Sequence, residues 1–265
     1  MPGMKIKYTI FMLLLFIFAS RLLADDQDSL LDQGEKIFYS MNSTTVAAKA
    51  IEAMDNALAI YKLCMAKGQN EKVLYDYTED INLKYYYLDA GTKDDKFKAY
   101  DDTIKLIEVS GLDPENSAVY NYCLALMWAR RGDIMDLFDA ARNGVADKIK
   151  NYAEKAYKLD KTIDKNSVML ILGRLHYKSP NIPLLLTWPD KQKSKTYLEE
   201  ALKADLSSLM AQFYLADTLW ELGEKDQAVK YYNQVTSTAA RQDDYWKDMK
   251  IKSLCSDRIK ELGIK

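Results

Sequence analysis

A single histidine, His176, is the first limit that the sequence sets on function. A serine–histidine–aspartate arrangement or a histidine-dependent metal site would have to use this one residue. His176 lies on an apolar helical face beside Leu172 and Leu175, which favours a packing role. The sequence also has no H-E-x-x-H, G-x-x-x-x-G-K or G-x-S-x-G motif. We therefore predict a protein that is not an enzyme, with no catalytic residues, no cofactor and no bound metal.

Cysteine, glycine and proline are also scarce. The 3 cysteines, Cys64, Cys123 and Cys255, are far apart, and each lies in an apolar helical pattern. This setting is typical of buried small side chains, although a disulfide between two of them stays open. The 10 glycines and 5 prolines are too few for the many tight turns of an all-β protein.

Neither sign of charge is in excess. The 37 lysines and arginines face 39 aspartates and glutamates, which gives a formal net charge of -2. Nucleic-acid binding would require a clustered basic face, so we predict no nucleic-acid partner. With 265 residues, 48% of them hydrophobic, the chain has enough apolar material for a packed core.

A long apolar run lies at the N-terminus. Lys5 and Lys7 precede the stretch 9–19 (TIFMLLLFIFA), and Ala24 is followed by two aspartates. This order is typical of a secretory signal peptide over residues 1–24. An uncleaved anchor is the alternative, although Arg21 interrupts a run that is barely long enough to span a bilayer. No cysteine directly follows the run, so we predict no lipoprotein anchor. The sequence therefore predicts export, in a bacterium to the periplasm, and no later membrane span.

Residues 25–265 are predicted to form one all-α domain of stacked helical hairpins. No segment alternates with the period of two that a strand requires, whereas apolar residues recur with helical spacing throughout. We expect a poorly anchored helical segment at 25–40, irregular helices to about residue 115, clearer repeats over 116–238 and a capping helix at 243–262. The other predicted helices are 46–66, 71–88, 94–109, 118–131, 134–142, 145–159, two within 168–201, 207–222 and 224–238.

A repeat is visible in the C-terminal half. Three positions of one helix recur 34 residues later with small or apolar side chains: Ser194, Leu198 and Ala201 against Ala228, Tyr232 and Val235. This is the period of the tetratricopeptide repeat, whose paired helices cross closely at small residues. Because one helical pair cannot bury both of its faces, such pairs stack into a solenoid with a concave surface.

The stretch 168–201 carries an insertion within one repeat. Leu172-Gly173 matches Leu215-Ala216 at a separation of 43, which is nine more than the period. The extra residues fall in the apolar loop 180–189, which holds three of the prolines. The loop either folds over its own repeat or lines a cavity mouth or partner-docking patch. The candidate ligand- or partner-binding residues are Ile182, Leu184, Leu185, Leu186, Trp188, His176 and Tyr177.

These features carry a family resemblance. The joint at 156–160 (AYKLD), the pair Leu172-Gly173 opening an aromatic-bearing helix, and Pro180 at the start of the loop resemble the T-component proteins associated with TRAP-type transporters. The resemblance covers about the C-terminal half of the chain. It implies a helical body with an apolar ligand channel and a periplasmic solute-binding subunit as partner.

Two functions stay open on the sequence. The first is a non-enzymatic exported interaction protein that binds a protein or peptide partner in its concave groove. The second is a T-component-like protein that holds a hydrophobic small ligand and works with a solute-binding subunit. An open polar groove would favour the first, and a closed apolar cavity near 184–188 the second. Assembly into a homo-oligomer is also left open.

Overall fold

The computed structural model describes residues 27–41, 46–68, 70–165, 167–182 and 186–264. The predicted signal peptide, and Leu184 and Leu185 of the apolar loop, lie outside the described residues. Within these ranges the chain is helical, with one isolated antiparallel bridge and no longer strand. The all-α prediction is confirmed. No helix in the described part is both long and apolar enough to cross a bilayer.

Twelve α-helices are described, and a π-helical turn, Leu83–Tyr87, directly continues the third of them. In chain order they are α1 Gln27–Met41, α2 Ala47–Lys67, α3 Glu71–Asn82, α4 Lys93–Glu108, α5 Ala118–Ile134, α6 Leu137–Arg142, α7 Val145–Leu159, α8 Ser167–Lys178, α9 Lys191–Ala204, α10 Leu209–Glu221, α11 Lys225–Ser237 and α12 Tyr245–Glu261.

Capping side chains determine where several helices begin. The Ser117 hydroxyl accepts a hydrogen bond from the Tyr120 amide at 2.9 Å and so caps α5. Ser117 comes three residues after Pro114, which cannot continue an incoming helix. The Asp190 carboxylate accepts from the Gln192 amide at 2.8 Å and so starts α9. Helix starts can therefore be read from local sequence. One end differs from expectation: α5 runs through Gly132 to Ile134 instead of stopping at the glycine.

Antiparallel pairs pack along the chain: α1 with α2, α5 with α7, α8 with α9, and α10 with α11. In the α8–α9 pair, a Cβ on Gly173 would lie 2.5 Å from Leu198 Cγ, so only glycine permits this crossing. The Ser194 hydroxyl donates to the Gly173 carbonyl at 2.7 Å in the same buried contact. One period later, Ala228 is fully buried. The small residues of the 34-residue pattern are thus the points of close helix approach.

The N-terminal helix is better anchored than its sequence predicts. Leu30 is fully buried in the main core, and the Gln27 amide donates to the Cys64 carbonyl at 3.1 Å. A Cβ on Gly34 would lie 2.5 Å from the Tyr61 ring, so α1 packs tightly on α2. The prediction of a poorly anchored segment was wrong because this short helix is held by tertiary packing, which its own sequence does not display.

The C-terminal helix returns to the N-terminal part of the molecule. Besides packing on α10 and α11, α12 contacts the π-turn. Trp246 packs against a cluster that contains Leu83 and Tyr87, and the Lys247 ammonium lies 3.5 Å from the Glu79 carboxylate. The predicted capping helix therefore also closes the concave face of the helical stack along one side.

All three cysteines are buried and free. Burial raises the pKa of the Cys64 and Cys123 thiols and raises that of Cys255 to about 12. Protonated buried thiols are poor nucleophiles. The prediction of buried small side chains is confirmed, and no disulfide joins any two of them.

Candidate functional site

A cavity of about 420 Å³ lies on the concave face, inside the curve closed by α12. Residues at helical spacing line the cavity: Leu126, Arg130 and Asp133 on α5, and Arg174 and Lys178 on α8. The π-turn contributes Tyr86 and Tyr87, α10 contributes Met210 and Tyr214, and α12 contributes Lys247, Ile251 and Leu254. Three kinds of surface follow one another around its wall: a cationic end, an acidic end and an apolar wall.

Arg130 anchors the cationic end, which consists of Arg130, Arg174 and Lys178. The residue is only 8% exposed, and its Nε donates to Asn82 Oδ1 at 2.7 Å. The guanidinium carbon lies 3.5 Å from the centre of the Tyr86 ring. Stacking on an aromatic ring stabilises a partly desolvated guanidinium and fixes the plane in which its N–H groups point.

Arg174 occupies a similar setting on α8. Its guanidinium carbon lies 4.5 Å from the Tyr214 ring and 4.7 Å from the Tyr177 ring, and its Nη1 donates to Asp217 Oδ2 at 2.7 Å. Burial raises the pKa of the Tyr214 hydroxyl, and the charges of Arg174 and Arg130 oppose that rise. Tyr214 is therefore close to both guanidiniums.

Asp133 is the carboxylate that lies between Arg130 and Lys178 and lines the cavity with them. Lys178 Nζ lies 2.5 Å from its Oδ1, and Arg130 Nη1 lies 3.4 Å from its Oδ2. Burial alone would raise the pKa of Asp133. The charges of Lys178, Arg130 and Arg174 outweigh burial and lower that pKa below its ordinary value. Asp133 is therefore ionised at neutral pH and is surrounded by positive charge.

The acidic end is the group of carboxylates in the lining, Glu79, Asp164, Asp205, Asp244 and Asp248. Its carboxylates have partners within the protein. The Tyr122 hydroxyl donates to Glu79 Oε1 at 2.7 Å, and Arg241 Nη2 donates to Asp248 Oδ1 at 2.7 Å. Arg241 also lies within ion-pair distance of Asp205 and Asp244. These contacts join the segment before α12 to the α9–α10 joint.

The apolar wall adjoins the cationic end. It consists of Val145 and Ile149 on α7, Leu175 on α8, and Ile182 and Leu186 of the loop. Leu175 lies between Arg174 and Lys178 on the same helix, so apolar and cationic side chains alternate along the rim of one wall.

The apolar loop folds back onto its own repeat. Ile182 and Leu186 exchange backbone hydrogen bonds of 2.9 and 2.8 Å, which close a small bridge. The Trp188 indole donates to Asp147 Oδ1 at 2.8 Å, and its ring lies 5.3 Å from that of His176. Leu186 is buried and lines the cavity. The loop thus covers its repeat and also contributes to the cavity wall.

No protein-family model and no curated protein matches the sequence. Among solved structures, the crystal structure of a thermophilic tetratricopeptide-repeat protein of Thermus thermophilus is similar, with a TM-score of 0.54 over 88% of this chain and 98% of that one. Sequence identity with that protein is 14%, so the likeness concerns the fold. This chain has a tetratricopeptide-like fold. The finer resemblance to T-component proteins stays a prediction.

The predicted site residues divide into three groups on this tetratricopeptide-like scaffold. Ile182 and Leu186 line the cavity, whereas His176, Tyr177 and Trp188 lie behind its wall. The third group, Leu184 and Leu185, lies outside the described residues. His176 is 2% exposed, and its Nδ1 accepts a hydrogen bond from the Asp190 amide at 3.2 Å. Burial lowers its pKa, so the side chain is a neutral packing residue, as its apolar neighbours predict.

Sequence reasoning missed the charged residues of the cavity. Arg174 stands between the buried residues Gly173 and Leu175, and Arg130, itself buried, follows the apolar run of α5. An arginine at such a position is a signal in itself, because a buried cation requires partners. In the described part of the chain, no group of three or more potential metal-ligating side chains forms a metal site.

Proposed function

We propose that this tetratricopeptide-like chain is a non-enzymatic binding protein that holds a small ligand with an apolar part in its cavity. The observation that carries this proposal is the cavity of about 420 Å³, which α12 borders where it returns to the π-turn. Small-molecule sites commonly enclose roughly 300–1,000 Å³. A cavity of this volume is of the right size for a small ligand.

The composition of the wall agrees with this proposal. Ligand sites combine an apolar lining with a few polar groups that fix orientation. Here Val145, Ile149 and Leu175 provide the apolar lining, and Arg130 and Arg174 provide the polar groups. The T-component resemblance, which implies an apolar ligand channel, points in the same direction.

Native mass spectrometry tests ligand binding directly. Wild-type protein purified from its own host should carry a small molecule that denaturation releases. Ala129→Trp fills the cavity from α5 and should remove that mass, while Ala239→Trp, on the exposed surface outside the cavity, should retain it. Ala146→Trp, from the α7 side, replaces Ala129→Trp if that variant does not fold. A wild-type protein without bound mass, or a ligand retained by the folded cavity variants, contradicts the proposal.

A protein partner is the second candidate, and the rim of the cavity favours it. Leu137 and Phe138 on α6 are 62% and 79% exposed, and Leu137 borders the cavity. Exposed apolar side chains beside a binding site are typical of docking surfaces. Helical-repeat folds generally bind proteins. A periplasmic solute-binding subunit is the partner that the T-component resemblance implies.

Site-specific photocrosslinking in cells tests this docking. A photoreactive phenylalanine analogue at position 138 should give one discrete adduct, which mass spectrometry identifies. The same analogue at Val109, which is 81% exposed and far from the cavity lining, should give none. Equal adducts at both positions, or no adduct at position 138, contradict docking at this rim.

We also propose that the chain is exported, on the strength of the N-terminal apolar run alone. Fractionation of cells expressing the full chain should place it outside the cytoplasm. N-terminal sequencing of the purified protein should begin at Asp25. An intact N-terminus on a cytoplasmic protein would contradict export.

A further inference from the structure

We propose that the ligand of the cavity is an amphipathic monocarboxylate, whose carboxylate binds at the cationic end and whose apolar chain lies along the apolar wall. This inference rests on the proposed ligand-binding function and names the chemical class of the ligand. Its basis is an imbalance of charge, a set of unused hydrogen-bond donors and the position of the apolar wall.

The imbalance is local to the cationic end. Arg130, Arg174 and Lys178 have two carboxylate partners among them: Asp133 pairs with Arg130 and Lys178, and Asp217 pairs with Arg174. Asp217 binds Arg174 from behind, but it is shared with Arg258, whose Nε lies 3.3 Å from its Oδ1. Partly buried cations that outnumber their counterions are unfavourable until an anion joins them. A ligand carboxylate would supply that anion.

The guanidinium groups still have donors to offer. Arg130 uses Nε and Nη1, and Arg174 uses Nη1, while the Nη2 of each donates to none of the described residues. Tyr86 and Tyr214 hold the two planes by stacking on them. Fixed planar donors are suited to the two oxygens of a carboxylate, and such charge-assisted bonds are the stronger ones.

The surroundings limit what the rest of the ligand can be. Next to the cations, Leu175, Ile149 and Leu186 offer only carbon, so the body of the ligand should be apolar. Glu79 and Asp164 also line the cavity and would repel a second anionic group. The geometry therefore selects a monocarboxylate with a hydrocarbon chain over a dicarboxylate or inorganic phosphate.

Isothermal titration calorimetry of the full chain, stripped of bound molecules, separates these ligands. Octanoate is the probe, and octanamide, octanedioate and inorganic phosphate are its comparators. Octanoate should bind roughly tenfold or more tightly than octanamide, because charge-assisted bonds are about twice as strong as neutral ones. Octanedioate and phosphate should bind more weakly than octanoate. No octanoate binding, or equal affinity for octanoate and octanamide, overturns the inference.

Variants assign the binding to the named cations. Arg174→Gln and Lys178→Gln should each weaken octanoate by roughly tenfold and leave octanamide unchanged. Lys178 is half-exposed, so its variant tests the inference even if Arg174→Gln does not fold. Arg131→Gln is the matched control, because Arg131 is the next residue on α5, pairs with Asp101 and does not line the cavity. An unchanged octanoate affinity in both test variants overturns the inference.

The two proposals fail in different ways. If Ala129→Trp removes octanamide binding while octanoate and octanamide bind equally to wild type, the cavity holds ligands but does not select a carboxylate. If Ala129→Trp binds octanoate as wild type does, the ligand is not in the cavity, and the proposed function fails as well.

Discussion

At the acidic end of the cavity, Asp248 accepts three hydrogen bonds from Arg241, through its backbone amide, its Nε and its Nη2. At the cationic end, Arg174 and Lys178 reach the cavity with donors that no described residue uses. Both ends carry partly buried charge. The carboxylate of Asp248 is fully paired within the chain, whereas the cationic end has more cations than carboxylate partners.

The difference separates structural from binding electrostatics. A satisfied network such as that around Arg241 fixes the position of an element, here the start of α12 against the α9–α10 joint. An unsatisfied set of cations has no such structural value and lowers stability, so its presence favours a ligand. If this distinction holds, substitutions at the acidic end should change stability, and substitutions at the cationic end should change binding.

Asp248→Ala should have the largest effect. It leaves the partly buried Arg241 donors without their main acceptor, and Asp205 and Asp244 compensate only in part. We expect the free energy of unfolding to fall by about 2–3 kcal/mol, measured by urea denaturation. Octanoate affinity of the folded variant should stay within about twofold of wild type, since Asp248 lies at the opposite end.

The matched control is Asp102→Ala. Asp102 pairs with Lys98 one helical turn away on the exposed face of α4. Such pairs contribute roughly 0.3–0.5 kcal/mol, so this variant should unfold almost as wild type does. Similar losses in the two variants would show that the network at Arg241 has no special structural role.

The repeat could be predicted because its signal is local and periodic. Ser194 and Ala228, 34 residues apart, are both fully buried where helices cross. Composition and spacing alone also predicted the all-α fold, since helical periodicity requires no knowledge of distant contacts. Of the loop residues predicted as a site, Ile182 and Leu186 line the cavity and Trp188 does not.

The cavity itself could not be predicted. Trp246 meets Leu83 and Tyr87 only because the stack curves back on itself, and curvature sums small rotations over many helices. For the same reason, the sequence does not show that Arg130 and Arg174, 44 residues apart, both lie near Tyr214 in the fold. Each arginine alone indicates a cation that needs partners, but its sequence does not identify those partners.

The second-largest expected effect concerns Asp80 and the pH dependence of the free energy of unfolding. It lies beneath the acidic end, is 1% exposed, and its Oδ2 has no partner among the described residues. Burial raises its pKa well above the ordinary value; the charges of Asp76 and Glu79 add to the rise, and Lys247 opposes it. A carboxyl whose pKa is higher in the folded state stabilises the fold at pH values below its unfolded pKa. That contribution is lost as the pH rises through the folded-state value.

Asp80→Asn removes this titration while keeping the shape of the side chain. Its free energy of unfolding should exceed that of wild type by about 1 kcal/mol at pH 8, and the two should converge near pH 4. Urea denaturation across that range measures the difference. Asp257→Asn, on the exposed face of α12, should show no such pH dependence relative to wild type. A constant difference between Asp80→Asn and wild type at all pH values would rule out titration of Asp80 as the cause.

Asp133→Asn has the smallest expected effect and is the most direct test of the comparison between the acidic and the cationic end. Asp133 forms ion pairs with Arg130 and Lys178, which a ligand carboxylate would also bind. Its negative charge would also repel that carboxylate. Its neutral amide should therefore raise octanoate affinity by roughly threefold to tenfold, measured by calorimetry, with octanamide unchanged. Because Lys178 is half-exposed, loss of its ion pair should cost less than about 1 kcal/mol of stability. A fall in octanoate affinity would mean that Asp133 positions the guanidiniums, and that the cationic end, like the acidic end, is a structural network.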